Sequence, residues 1–142
     1  MANYDCCVRT NYFHVKNPDA FRNFMSHVYG SEDDIELWEE TDNDGNLVFG
    51  FGTSGGISGL CDVNGDVDYN SYHLFIGGLQ EHLCDSDAVI IMEVGHEKLR
   101  YVIGSATVVT TKHCEYLDIC ALATAKAADF LGDPQWATRC DY

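Results

Sequence analysis

The chain has 142 residues, 46 % of them hydrophobic, and a formal net charge of −15 from 23 acids against 8 lysines and arginines. That length suits one domain with a single sizeable core, needing no metal or disulfide to hold it together. The charge excludes binding to nucleic acid through its phosphates and to an anionic membrane surface, since both need the opposite sign.

Nothing in the chain reads as a targeting or spanning segment. No apolar run approaches the roughly 18–20 residues of a bilayer span, and the opening "MANYDCCVRT" lacks the basic-then-apolar layout of a secretory signal. Seven cysteines, an odd number without a C-x-x-C spacing, read as small, mostly buried apolar residues in a reducing compartment. The expected location is the cytoplasm.

In chain order, "TNYFHV" (10–15) is aromatic and β-branched and predicts a strand. Asn17-Pro18 then supplies an N-cap and a proline at the first helical position. Phe21, Phe24, Met25 and Val28 follow at i, i+3, i+4 and i+7, and Gly30 closes this helix. "IELWEETDNDGNLVFGFG" predicts a hairpin turning at "DNDGN". "TSGGISG" (53–59) is a glycine-rich connection. Tyr72, Phe75, Ile76, Leu79 and Leu83 mark a second helical face, interrupted by Gly77 and Gly78. Strands at 88–94 and 99–111 flank a turn at "GHEK". A last helix aligns Leu117, Cys120, Thr124, Ala128 and Leu131 and stops at Gly132 and Pro134. The order β-α-β-β-α-β-β-α implies a single α+β domain with helices layered on a mostly antiparallel sheet.

No catalytic constellation emerges. "CDVNGDVDYN" (61–70) places Asp62, Asn64 and Asp66 at the first, third and fifth positions of a calcium loop, but Val67 stands where the turn glycine is needed and His73 where the bidentate acid is needed. The stretch therefore reads as acidic surface, and no metal or other cofactor is expected. The pairs His82/Cys84 and His113/Cys114 belong to no four-ligand zinc pattern, no serine lies in a G-x-S-x-G elbow, and the glycine-rich loop lacks the lysine of a phosphate loop. Glu93, His96 and Glu97 in "EVGHEK" read as solvated turn residues.

Charge is laid out unevenly. Residues 23–97 contain no lysine or arginine and 16 acids. A rigid domain whose carboxylates follow a hairpin and a loop can enter the basic cleft of a nucleic-acid-binding protein in place of the nucleic acid, with a salt-sensitive on-rate. The candidate surface is Glu32, Asp33, Asp34, Glu36, Glu39, Glu40, Asp42 and Asp44, extended by Asp62, Asp66 and Asp68, with Trp38 as an aromatic anchor. Alternatively, the acids serve solubility alone, or the 53–59 loop belongs to a small enzyme or ligand-binding domain.

The blocks "RTNYFHVKNPDAFRNFMSHVYG", "LVFGFGTSGGISG", "EKLRYVIGSATVVTTK" and the closing "DY" resemble a family of small acidic proteins encoded on bacterial mobile elements. None of these blocks is a catalytic signature. The resemblance implies a non-enzymatic inhibitor of anti-CRISPR or antirestriction type that binds a host defence nuclease or its surveillance complex.

Overall fold

A computed structural model describes residues 4–62, 64–67 and 71–140. Along it run β1 (Asp5–Thr10), α1 (Pro18–Met25), β2 (Val28–Gly30), β3 (Glu36–Thr41), β4 (Leu47–Ser54), β5 (Ile57–Leu60), α2 (Tyr72–His82), β6 (Val89–Glu97), β7 (Tyr101–Val109), β8 (Cys114–Asp118) and α3 (Ile119–Leu131). Six strands form one antiparallel sheet in the order β3-β4-β1-β6-β7-β8, and β2 pairs with β5 in a separate ribbon. The class is α+β, as the element order implies.

The period-2 alternation of the strands sorts side chains into two unlike faces. The inner face presents Val8, Phe49, Phe51, Val89, Ile91 and Val109, and α1 and α2 cover it with Phe21, Met25, Phe75 and Leu79. Aromatic edges interlock across this seam: Phe13 meets Phe21 at 5.6 Å and 88°, and Phe51 meets Phe75 at 6.0 Å and 79°. Such pairs each add about 0.5–1.5 kcal/mol beyond the area they bury. Asn17 caps α1 by accepting from the Ala20 amide, with Pro18 in the first turn. Gly78 lets α2 approach α1, since a Cβ there would overlap the Phe24 ring. The close approach is thus helix to helix rather than helix to sheet.

Several boundaries differ from the sequence reading. The first strand lies at Asp5–Thr10, not 10–15, and Phe13 and Val15 make only isolated bridges. Asn11 ends the ladder because its side chain takes over the backbone's role, donating to Ala88 O at 3.0 Å and accepting from Ile90 N at 2.7 Å. The first helix stops at Met25, and Val28 pairs with Leu60 in the β2–β5 ribbon instead of continuing the helical face. The β6–β7 turn falls at Lys98–Arg100, where Lys98 has φ 50°, so β6 runs on through "GHE". Residues 114–118 form the edge strand β8, and α3 begins only after it, capped by Asp118, which accepts from the Ala121 amide.

The outer face is different in character. Tyr12 lies across Gly50 and Trp38 across Gly52, filling the space those residues leave by lacking a Cβ. From β1 onward the same face carries Cys7, Ile90, Met92, Val94 and Val102, all exposed. At the far edge α3 packs Ile119 onto Gly104 of β7. Only Ala128 of α3 is buried.

Candidate functional site

The acidic hairpin is built by local chemistry. Asp42 opens the β3–β4 turn, its Oδ1 accepting from the amides of Asp44 (3.0 Å) and Asn46 (2.9 Å), while Gly45 supplies the positive φ of 83° that closes it. The register then sets Glu36 opposite Gly52, Trp38 opposite Gly50 and Glu40 opposite Val48, so these three side chains share the outer face. Leu37 and Glu39 point inward; Leu37 joins the core, and Glu39 pairs with Arg22 of α1. β3 has a free edge, and its glutamates also guard that edge against pairing with another chain.

Not every predicted residue stands free. Glu36, Glu40 and Asp44 are exposed, and Glu36 and Glu40 make no ion pair among the described residues. Glu32, Asp33 and Asp34 are exposed on the loop before β3, fastened by Thr53 Oγ1 donating to the carbonyls of Asp33 and Asp34. Glu39 is held below the usual carboxylate range by its hydrogen bonds from Arg22. Trp38 is half-buried, with the Arg9 guanidinium 4.9 Å from its ring centroid, so the anchor lies flat on the sheet.

Asp62 and Asp66 belong to a second turn that copies the first. Asp62 Oδ1 accepts from the amides of Asn64 (2.8 Å) and Asp66 (2.9 Å), and Gly65 has φ 82°. "DNDGN" and "DVNGD" share this Asp…Gly pattern because both build the same backbone reversal, which accounts for the calcium-like spacing. No group of three histidine, cysteine or acidic side chains suited to a metal occurs among the described residues. This turn hangs at the end of the β2–β5 ribbon where Cys61 N donates to His27 O, whereas the 31–34 loop sits at the other end, where Ser31 N donates to Gly56 O. The two acidic groups therefore occupy opposite ends of one ribbon. Asp68 lies outside the described residues.

Asp42 is a structural acid. Its Oδ2 lies 2.7 Å from His14 Nε2, and His14 Nδ1 lies 2.8 Å from Asp87 Oδ2. The two carboxylates raise the imidazole above its ordinary value, and in return His14 and the Asn46 amide lower Asp42. Burial opposes the charge on Asp87, but the amide and ring of His14 outweigh it and its carboxyl is lowered too. The triplet ties the hairpin turn to the loop that enters β6.

The glycine-rich loop has committed its donors. Gly55 N donates to Cys6 O and Gly56 N to Ser31 Oγ, and Gly55 takes φ 89° in the turn between β4 and β5. These amides hold the turn rather than facing an open anion cradle.

No protein family, curated protein or solved structure matches the chain. The feature that the sequence reading passed over is the outer-face stripe, where Met92 is 52 %, Val94 51 % and Val102 64 % exposed. Its signal was present in "AVIIMEV", apolar at consecutive positions where a strand with one wet face should alternate. Ile90, on the same face of β6, is exposed as well. No helix among the described residues is long and apolar enough to cross a membrane.

Proposed function

We propose that the protein is a non-enzymatic inhibitor that binds a basic nucleic-acid-binding protein, a host defence nuclease complex of the CRISPR or restriction type, in the cytoplasm. It does so by offering carboxylates where that partner expects phosphates. The observation that supports this most is a juxtaposition on one sheet face: Glu36 and Glu40, without an ion pair among the described residues, on the edge strand β3, and the exposed apolar side chains Met92, Val94 and Val102 on β6 and β7. Acids give long-range steering toward a positive cleft, and the apolar stripe gives contact area that free nucleic acid lacks. Adjacent same-face positions on β3 lie about 6.8 Å apart, and Glu32, Asp33, Asp34 and Asp44 are exposed in the segments that precede and follow that strand. Binding to nucleic acid itself or to an anionic membrane is disfavoured by the same charge.

The test is capture of CRISPR effectors and restriction enzymes by the tagged protein, followed by release along a salt gradient. The effector captured should leave at moderate salt and be displaced by its own DNA or RNA. Because Glu39 and Asp42 serve the fold, charge reversal belongs at Glu36, Glu40 and Asp44. The variant E36K/E40K/D44K should weaken binding at least about tenfold, whereas E115K/D129K, placed on β8 and α3, should change it little. Equal losses from both sets, or retention of nothing basic at low salt, would overturn the reading.

A further inference from the structure

All seven cysteines are thiols here, and none of them is fully buried, contrary to what composition suggests. Two meet. The sulfurs of Cys120 and Cys140 lie 2.8 Å apart across 20 positions of sequence, roughly 0.8 Å more than a disulfide bond. The meeting follows from the way α3 ends. Gly132 takes the left-handed conformation (φ 66°), its amide donates to Asp129 O, and Asp133 N donates to Ala128 O, which reverses the chain. A further turn, with Trp136 N donating to Asp133 O, leads the tail back along the helix. From Cys120 to Leu131 the helix rises only about 17 Å, well within the reach of the nine residues 132–140. Cys120, half-buried in the first turn of α3, and the exposed Cys140 thus come together at the mouth of a groove walled by Val102, Ala121, Ala125 and Trp136.

We propose that Cys120 and Cys140 form a reversible disulfide site, oxidised by low-molecular-weight disulfides of the glutathione class, which straps the 132–140 tail onto α3. The chemistry is two exchanges. One cysteine, as thiolate, attacks a sulfur of the small disulfide, forming a mixed disulfide and expelling one small thiolate. The second cysteine, as thiolate, attacks the protein-side sulfur, closing Cys120–Cys140 and expelling the other. The two protons from the protein thiols end on the two expelled thiolates, so the protein loses two electrons and the small disulfide gains them. The same exchange run backward by excess small thiol reopens the strap. In the reduced protein an S–H···S contact holds the pair, which is weak. Oxidation replaces it with a covalent bond and fixes the tail as the groove's outer wall.

The test uses the full chain equilibrated in glutathione redox buffers, acid-quenched, alkylated and weighed intact and after non-reducing tryptic digestion. Two of the seven thiols should disappear together with a mass loss of about 2 Da, and peptide 140–142 should be joined to peptide 113–126. C120S and C140S should each abolish the bond. C114S, which removes the other cysteine of peptide 113–126, should retain it. Amide exchange over 133–140 should slow about fivefold or more on oxidation of the wild type and stay unchanged in C140S. A cross-link that survives C120S, glutathione accumulating on Cys140 without closure, or seven thiols still reactive in the most oxidising buffer would each overturn the proposal.

Discussion

Both ring nitrogens of His14 face carboxylates, and a neutral imidazole has only one proton to give. Full bonding to Asp42 and Asp87 therefore requires the imidazolium. Because the folded state raises His14 above its ordinary 6.5, its contribution to stability is complete below that value and is lost as pH rises through the folded value. Asp42 and Asp87 are lowered from 3.8, so their contribution is present above 3.8 and is lost as pH falls through their folded values. Melting temperature should accordingly be highest between these limits and decline on the alkaline side. His14→Gln, which keeps only part of the bonding, should lower the melting temperature by a few degrees near pH 6 and flatten the alkaline decline. An unchanged alkaline limb in that variant would remove His14 as its cause. The side chain is 42 % exposed, so solvent screens the pair and the effect stays modest.

Adjacent glycines in α2 show how one element answers to two neighbours. A Cβ at Gly77 would meet nothing within 4 Å, whereas one at Gly78 would overlap the Phe24 ring, itself stacked on Phe75 at 6.3 Å and 2°. Gly77→Ala should therefore stabilise by about 0.8–1.0 kcal/mol through helix propensity, while Gly78→Ala should destabilise by about 1–3 kcal/mol through overpacking. Chemical denaturation of the two variants checks both signs, and equal shifts would refute the helix-to-helix contact. The sequence reading located the glycines but not the difference between them, since propensity is local and the Phe24 ring arrives from another helix. The β3–β4 hairpin and the Asn17-Pro18 helix start were legible because turn chemistry and capping act over a few residues. β8 was not, because "CEYLD" is short and gains its backbone partners only from β7.

At the scale of the molecule, the strand order separates chemistry. β3, with its glutamates, lies at one edge of the sheet, and β8, which leads into α3, at the other, five strand spacings or about 24 Å away. Five of the eight lysines and arginines, Lys98, Arg100, Lys112, Lys126 and Arg139, fall on or after the β6–β7 turn toward that second edge. Residues 23–97 carry 16 acids and no lysine or arginine, and salt screens repulsion between exposed charges beyond the Debye length of about 10 Å at 0.1 M. With a net charge of −15, self-repulsion opposes the compact state. Raising sodium chloride from about 10 mM to about 200 mM should therefore raise the melting temperature. E36Q/E40Q/D44N should show a higher melting temperature at low salt and a smaller salt response. A melting temperature that falls with salt would mean that attraction, not repulsion, dominates this surface.

By itself the sequence determined the class of fold, the hairpin that carries the acids, and the sign and unevenness of the charge. All of these follow from patterns within about ten residues or from composition, and neither depends on what packs where. Only the tertiary structure decided which acids are free: Glu36 and Glu40 point outward because of the β3–β4 register, while Glu39 and Asp42 are taken by Arg22 and His14 from distant segments. It alone also placed β1 between β4 and β6, left Met92, Val94 and Val102 exposed on the outer face, and brought Cys140 back to Cys120. Each of these depends on partners far apart in the chain, and no local propensity encodes the meeting of two segments that only a shared core brings together.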